Sequence, residues 1–195
     1  MSAVARLFLI AGLFWGVAGC ATHEAVNSGA AMMVGSDVSV DPQTSWAKVL
    51  RMPTSGTLWT IDGVGLNELY FFTDIRPGDP LVTVKGERGN DTRVYSDKML
   101  PNDVMDLLAS TVEKIGYRQV RTSGLAPFPF GAGTGFRFNL DFTTANDLQM
   151  KGTALAAQRS GKLDLILFAA PAEYYFGRYE PTVEKIFASV SAPGT

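Results

Sequence analysis

The stretch PFPFGAGTGFRFNLDF, residues 127–142, decides the fold because apolar and polar side chains alternate along its second half. Phenylalanine or leucine stands at every even position from 136 to 142, and Arg137, Asn139 and Asp141 lie between them. A period of two predicts a strand with one face on the core and the other in solvent. The stretch therefore predicts a sheet, with the polar residues on its outer face.

Three glycines, Gly131, Gly133 and Gly135, precede this strand and raise the alternative of a phosphate-binding loop. Such a loop needs a helix directly after the glycines, because backbone N–H groups and the helix dipole hold the phosphate. A strand follows here instead. We therefore interpret the glycines as architectural, allowing positive φ, a bulge or close backbone approach, with a ligand-binding loop as the less favoured alternative.

Outward from this stretch, the pattern predicts strands, a helix, more strands and a second helix. Apolar residues at three- and four-residue spacing predict a helix from Pro101 to Gly116, and a final helix is expected to begin near Pro181. The predicted strands are 58–61, 68–75, 81–84, 92–95, 117–122, 136–142, 148–159 and 163–170, the third and fourth as a hairpin. We expect an α+β fold, with an antiparallel sheet of about five to seven strands covered by two helices.

The N-terminus predicts export and lipid attachment. Arg6 precedes an apolar run that is too short to span a bilayer, which is typical of a signal peptide. The tetrapeptide Val17-Ala-Gly-Cys20 then resembles the lipobox of bacterial lipoproteins. The resemblance implies that residues 1–19 are removed and that Cys20 is lipidated. A secretory peptide cleaved at another site is the alternative.

The residues after Cys20 predict the domain organisation and indicate which membrane the protein is attached to. Residues 20–44 are small, polar and aperiodic, so we expect a lipidated flexible tether, followed by a single α+β domain over residues 45–195. Ala21 stands where lipoproteins retained in the inner membrane carry aspartate. The resemblance thus implies a periplasm-facing protein of the cell envelope, in the outer rather than the inner membrane.

The C-terminal segment carries a second resemblance. Residues 161–171, GKLDLILFAAP, followed by aromatic residues and then by Val183-Glu-Lys-Ile-Phe-Ala-Ser189, resemble the closing strand and helix of PsbP-like domains. That superfamily includes DcrB-type bacterial envelope lipoproteins. The resemblance implies a PsbP-like sandwich in a protein that acts as an accessory or binding subunit, and it supplies no catalytic residue.

Composition and motifs argue against several function classes. After loss of Arg6 with the signal peptide, 16 basic and 19 acidic residues leave a net charge of −3, which disfavours nucleic acid as a partner. His23, the one histidine, lies in the predicted tether, and the lipid occupies the sulfur of Cys20. We therefore predict no enzyme, no cofactor and no metal site.

Two surfaces remain as candidate partner contacts. Arg137 and Asn139 are expected on the outer sheet face beside Gln149, Lys151 and Thr153, although an ordinary solvated face is an alternative. The segment YYFGRY, residues 174–179, contributes Tyr174, Tyr175, Arg178 and Tyr179; such residues serve as interface anchors but also cover core edges.

These observations lead to one main expectation and one alternative. The main expectation is a non-catalytic, lipid-anchored envelope protein that binds another envelope protein or assists an assembly, with the membrane contacted through the lipid. The alternative is a periplasmic module that binds a small ligand in a cleft near the glycine loop, residues 127–138.

Overall fold

The computed structural model describes residues 22–50, 56–83 and 93–194. The predicted signal peptide and Cys20 lie outside these residues. The described elements are β1 (His23–Val26), β2 (Met32–Met33), β3 (Ser39–Val40), β4 (Trp46–Val49), β5 (Thr57–Thr60), β6 (Glu68–Ile75), α1 (Pro101–Lys114), β7 (Arg118–Phe130), β8 (Gly133–Thr143), β9 (Gln149–Arg159), β10 (Lys162–Pro171) and α2 (Tyr175–Ala188). Within this described part, no helix is both long enough and apolar enough to cross a membrane.

Eight of the strands form one antiparallel sheet in the order β1-β4-β5-β6-β10-β9-β8-β7. The α+β class is confirmed, but the sheet exceeds the predicted five to seven strands. The excess comes from β1 and β4, four-residue strands in segments where no period of two is visible. The predicted antiparallel meander of β8, β9 and β10 is confirmed by their continuous pairing.

The two helices cover opposite faces of the sheet. Leu165 and Leu167 of β10 belong to the same core cluster as the buried stripe of α1, whereas Ile166 and Phe168 belong to the cluster of α2. A strand covered on both faces needs apolar side chains at every position, which explains the uninterrupted run in β10. The phenylalanines of β8 face α1, so its polar residues face α2.

Helix α1 follows the prediction closely. Pro101 occupies its first turn, and the Asp103 carboxylate accepts a hydrogen bond from the Leu100 amide at 2.8 Å. Gly116 ends the helix with φ at +104°, a conformation that glycine adopts without penalty.

Helix α2 begins at Tyr175, so the prediction of a start near Pro181 is wrong. Proline inside a helix removes the hydrogen bond to the carbonyl four residues earlier, here that of Gly177. The first two turns form nevertheless, because Phe176 and Tyr179 are buried against the core on the same face as Val183. Burial of these aromatic rings outweighs the lost hydrogen bond.

Residues 22–44, predicted to belong to a flexible tether, are folded, so that prediction is wrong for them. β1 pairs with β4 at four positions, and the Ser39 amide donates to the Ser191 carbonyl at 2.9 Å. The segment also contributes four buried valines: Val26, Val34, Val38 and Val40. Val38 and Val40 belong to a short local pairing with residues 32–34, whereas the contacts of the segment with β4 and Ser191 join distant positions that the sequence does not indicate.

The predicted hairpin of residues 81–84 and 92–95 is not formed by its described part. Residues 81–83 and 93–96 have no strand conformation, and the turn between them lies outside the described residues. Instead, the Tyr95 amide donates to the Asp79 carbonyl and the Gly78 amide donates to the Tyr95 carbonyl. Pro77 and Pro80 interrupt this segment, since proline cannot donate to a strand ladder.

Candidate functional site

The glycine-rich stretch is the tip of the hairpin formed by β7 and β8. Phe130 pairs with Gly133, and Gly131 and Ala132 form the turn between the strands. Gly131 has φ at +59°, in the left-handed region that glycine tolerates best. No helix N-terminus follows, so the stretch lacks the dipole that a phosphate loop uses.

Two of the glycines allow close approach of backbone segments. A Cβ on Gly131 would lie 2.4 Å from the Ala192 amide nitrogen and carbonyl oxygen, and one on Gly135 would lie 2.4 Å from the Ala156 carbonyl oxygen. The architectural interpretation is thereby confirmed at both positions. Positive φ, one of the three alternatives for these glycines, holds at Gly131 and not at Gly133 or Gly135.

A cleft of about 500 Å³ lies beside this hairpin. Apolar side chains dominate its lining, and Thr134 and Gln158 add polar groups. Its remaining lining residues are Pro101, Leu125, Ala126, Pro127, Gly135 and Phe136. The volume is in the range of small-molecule sites, so this hairpin cleft has the size that the ligand-binding alternative requires.

The polar face of β8 lies next to the predicted neighbours on β9. Asn139 stands opposite Thr153 and Asp141 opposite Lys151, as the period of two predicts. Arg137, however, makes two hydrogen bonds to the Glu184 carboxylate of α2, both at 2.8 Å, and its guanidinium lies over the Phe128 ring at 5.6 Å. Arg137 therefore holds α2 to the sheet and does not offer a free cation to a partner.

Asn139 lines a second, polar cleft of about 310 Å³ between α2 and the sheet. Asp141, Lys151 and Glu180 also line this α2 cleft, together with Phe176, Gly177, Ser123, Leu140, Gly152 and Ala172. Both signs of charge are present, so the cleft does not select for a simple anion or cation. Its polar lining suits a ligand that forms hydrogen bonds rather than an apolar ligand.

The aromatic segment 174–179 divides between core and surface. Phe176 and Tyr179 are buried and Tyr175 is half-buried, whereas Tyr174 is 57% exposed. The exposed Arg178 places its guanidinium 5.5 Å from the Tyr174 ring centre and 5.4 Å from that of Tyr179. Arg178 also donates a hydrogen bond to the Tyr174 hydroxyl. The surface pair Tyr174–Arg178 thus packs on the buried Tyr179.

A polar network supports this pair from below. The Tyr179 hydroxyl donates a hydrogen bond to the Asp62 carboxylate. The same carboxylate accepts a hydrogen bond from the side-chain Nδ2 of Asn67 at 2.6 Å. Burial, together with the Asp62 hydrogen bond and charge, raises the pKa of Tyr179 to about 12. Tyr179 therefore stays protonated and continues to donate at any physiological pH. Sequence reasoning missed Asp62, which lies 117 positions from Tyr179.

Other ionisable groups serve structural contacts. Arg159 is buried and pairs with Asp164 at 2.7 Å and with Asp37 at 2.8 Å, which ties the N-terminal segment to the sheet. His23 lies on β1, exposed, within 2.8 Å of the Thr22 hydroxyl. Over residues 22–50, 56–83 and 93–194, no group of three histidine, cysteine or acidic side chains is arranged to hold a metal ion.

Comparisons with known proteins show a likeness to solved structures. No protein-family model matches the chain, and no curated protein matches it. Among solved structures, it is similar to the solution structure of cyanobacterial PsbP (CyanoP) from Synechocystis sp. PCC 6803, with 12% identity and a TM-score of 0.49. The match covers 91% of this chain and 96% of that chain. This likeness carries no argument about function, and the α+β class rests on the sheet and helices described above.

Proposed function

We propose that this protein is a non-catalytic, lipid-anchored accessory protein of the bacterial envelope that binds another envelope protein through the Tyr174–Arg178 pair. The observation that carries the proposal is the exposed tyrosine with an arginine stacked on its ring at the start of α2. Tyrosine and arginine are enriched among the residues that dominate binding energy in protein interfaces.

The position of Arg178 supports a role in binding rather than in stability. Arg178 lies in the first turn of α2, where the helix dipole disfavours a positive charge. None of the described carboxylates forms a salt bridge with it. A partner that presents an acidic group beside an apolar surface would complement both members of the pair.

The pair is also held in place before binding. Tyr179 is buried beneath Arg178, and its bond to Asp62 fixes the ring on which the guanidinium stacks. Pre-ordered side chains lose less rotamer entropy on association, which contributes about 0.5–1.5 kcal/mol for each side chain that would otherwise be immobilised.

The membrane part of the proposal rests on the lipobox-like tetrapeptide that ends at Cys20. Acyl chains on Cys20 anchor the protein, and Ala21 favours the outer over the inner membrane. We further place the domain among PsbP-like, DcrB-type domains, on the resemblance of residues 161–189. No nucleic acid, cofactor or metal takes part in this function.

A pulldown from detergent-solubilised membranes tests the partner. The wild-type chain should retain an envelope protein that Tyr174→Ala and Arg178→Met lose, each with unchanged melting temperature. Met33→Ala is the matched control, because Met33 is 60% exposed on another surface. Equal retention by all four chains would reject the Tyr174–Arg178 pair as the binding site. Mass spectrometry of the same preparation should find lipid on Cys20.

The hairpin cleft favours a second candidate function, the binding of a small apolar ligand. Its volume of about 500 Å³ and its mainly apolar lining support this function. A thermal-shift screen of fatty acids and other envelope metabolites tests it. A stabilising compound whose effect is lost in Leu125→Asp would favour the ligand over the protein partner.

A further inference from the structure

The folded N-terminal segment leaves almost no chain between the domain and the lipidation site. The Thr22 carbonyl accepts a hydrogen bond from the Leu50 amide at 3.0 Å, and β1 begins at the next residue, His23. Cys20 precedes Thr22 by two residues. Two residues of fully extended chain span at most about 7 Å.

This short reach fixes which part of the domain faces the bilayer. His23 pairs with Val49, so β1 starts at the end of the sheet where β4 finishes. We propose that this end docks on the phospholipid surface, with Leu50 at the interface, and that the domain does not float on a tether. The inference rests on the lipid anchor of the proposed function and adds an orientation to it.

The surface at this corner is compatible with contact to lipid headgroups. Leu50 is 47% exposed and adjoins Thr22 directly. Nearby, Glu24 and Lys48 form an ion pair at 3.5 Å, so the negative charge of Glu24 next to Leu50 is balanced. An exposed leucine beside a balanced ion pair suits the boundary between water and acyl chains.

The orientation also directs the Tyr174–Arg178 pair away from the membrane. Strand β10 runs for ten residues from Lys162 to Pro171, about 33 Å at the usual rise, and α2 begins just beyond its end. Pro171 pairs with Met150, so the loop that contains Leu148 lies at this same distant end. The proposed partner site therefore faces the periplasmic space.

Site-specific fluorescence on vesicles tests the docking. Full-length chains carrying Leu50→Cys or Leu148→Cys, exported by a bacterium and purified with their lipid, are labelled at the new thiol. Both leucines are 47% exposed, so the two positions are matched. The chains are placed in phosphatidylethanolamine–phosphatidylglycerol vesicles with a nitroxide on the lipid headgroup. We expect several-fold quenching at position 50 and none at position 148.

A longer tether isolates the cause. Twelve glycine and serine residues inserted between Ala21 and Thr22 add a span of about 20 Å, which should abolish quenching at position 50 while flotation with vesicles is unchanged. Unquenched label at position 50 on a chain whose Cys20 is lipid-modified would overturn the docking and leave the anchor standing. Equal quenching at both positions, or persistent quenching after the insertion, would also overturn it. A chain without lipid would overturn both the anchor and the docking.

Discussion

Replacing Gly135 with alanine should destabilise the protein and leave the Tyr174–Arg178 pair unchanged. The added Cβ would lie 2.4 Å from the Ala156 carbonyl oxygen and 3.1 Å from the Cβ of Phe130. The first of these atoms belongs to the backbone of β9, directly opposite Phe136 in the ladder. No side-chain rotation can relieve that contact, so β8 and β9 must move apart.

The expected loss of stability in Gly135→Ala depends on the fact that the new Cβ would overlap backbone atoms rather than a side chain. Overpacking a well-filled site costs about 1–3 kcal/mol, and a backbone obstacle inside a large sheet places Gly135→Ala in the upper half of that range. For a domain of this length, a loss of about 2–3 kcal/mol corresponds to a fall in melting temperature of about 4–12 °C.

Circular dichroism of the chain from Ala21 onward measures this fall, and Gly177→Ala is the control. Gly177 lies in α2, and a Cβ added there would meet no other atom within 4 Å, so the same change should raise the free energy of unfolding by about 0.5–1 kcal/mol. A melting temperature for Gly135→Ala equal to wild type would refute the close-approach argument. If phosphate stabilised the wild-type protein but not Gly135→Ala, the interpretation of this stretch as a phosphate-binding loop would be favoured again.

Three further predictions concern pH and the N-terminal segment. Burial raises the pKa of Glu68, so its ionisation opposes folding above the unfolded pKa of a glutamate, about 4.3. Glu68→Gln should therefore raise the free energy of unfolding more at about pH 7.5 than at about pH 3.5, measured by urea titration. The Ser36 hydroxyl and amide, aided by Lys162, lower the pKa of Asp74 to about 2. The Asp74 carboxylate stabilises the fold at pH values above the unfolded pKa of an aspartate, and it loses that effect as the pH falls through about 2. Ser36→Ala should therefore lower the free energy of unfolding by about 1 kcal/mol at about pH 6, and this cost should vanish near pH 2. Deletion of residues 22–44 should abolish cooperative unfolding and increase binding of a hydrophobic dye, whereas a chain that keeps them should melt in one transition.

Elements with a strong local signal were predictable from the sequence. The period of two in β8 and the three- and four-residue spacing in α1 each depend on residues within one element. The buried face can therefore be identified without knowing which element packs against it. The start of α2 was not predictable by the same reasoning. Pro181 is a common signal for a first turn, and here it lies inside the helix because Phe176 and Tyr179 bury the preceding turns.

The contacts that define the candidate site were beyond sequence reasoning because they join distant positions. Arg137 was expected to be free, and its bond to Glu184 spans 47 positions. Likewise, β1 takes its backbone partners from β4, which a composition that resembles a linker does not reveal. The exposed Tyr174 and Arg178 were identified by residue type, since large aromatic and arginine side chains stand out wherever they occur.

The outer edge of the sheet has a consequence for how this protein behaves when many copies are concentrated on one membrane. β7 is the last strand of the sheet, and its pairing with β8 is interrupted twice, between Arg118 and Arg121 and between Ser123 and Ala126. Pro127 and Pro129 follow, and proline has no amide hydrogen to offer.

Irregular pairing and proline are both devices that stop a free edge from templating an additional strand. Pairing of neighbouring copies into an extended sheet along β7 is therefore disfavoured, even at the high lateral density that the proposed lipid anchor would impose. A partner that recognised the protein by adding a strand of its own would find no continuous ladder there. Recognition at this edge is therefore left to side chains.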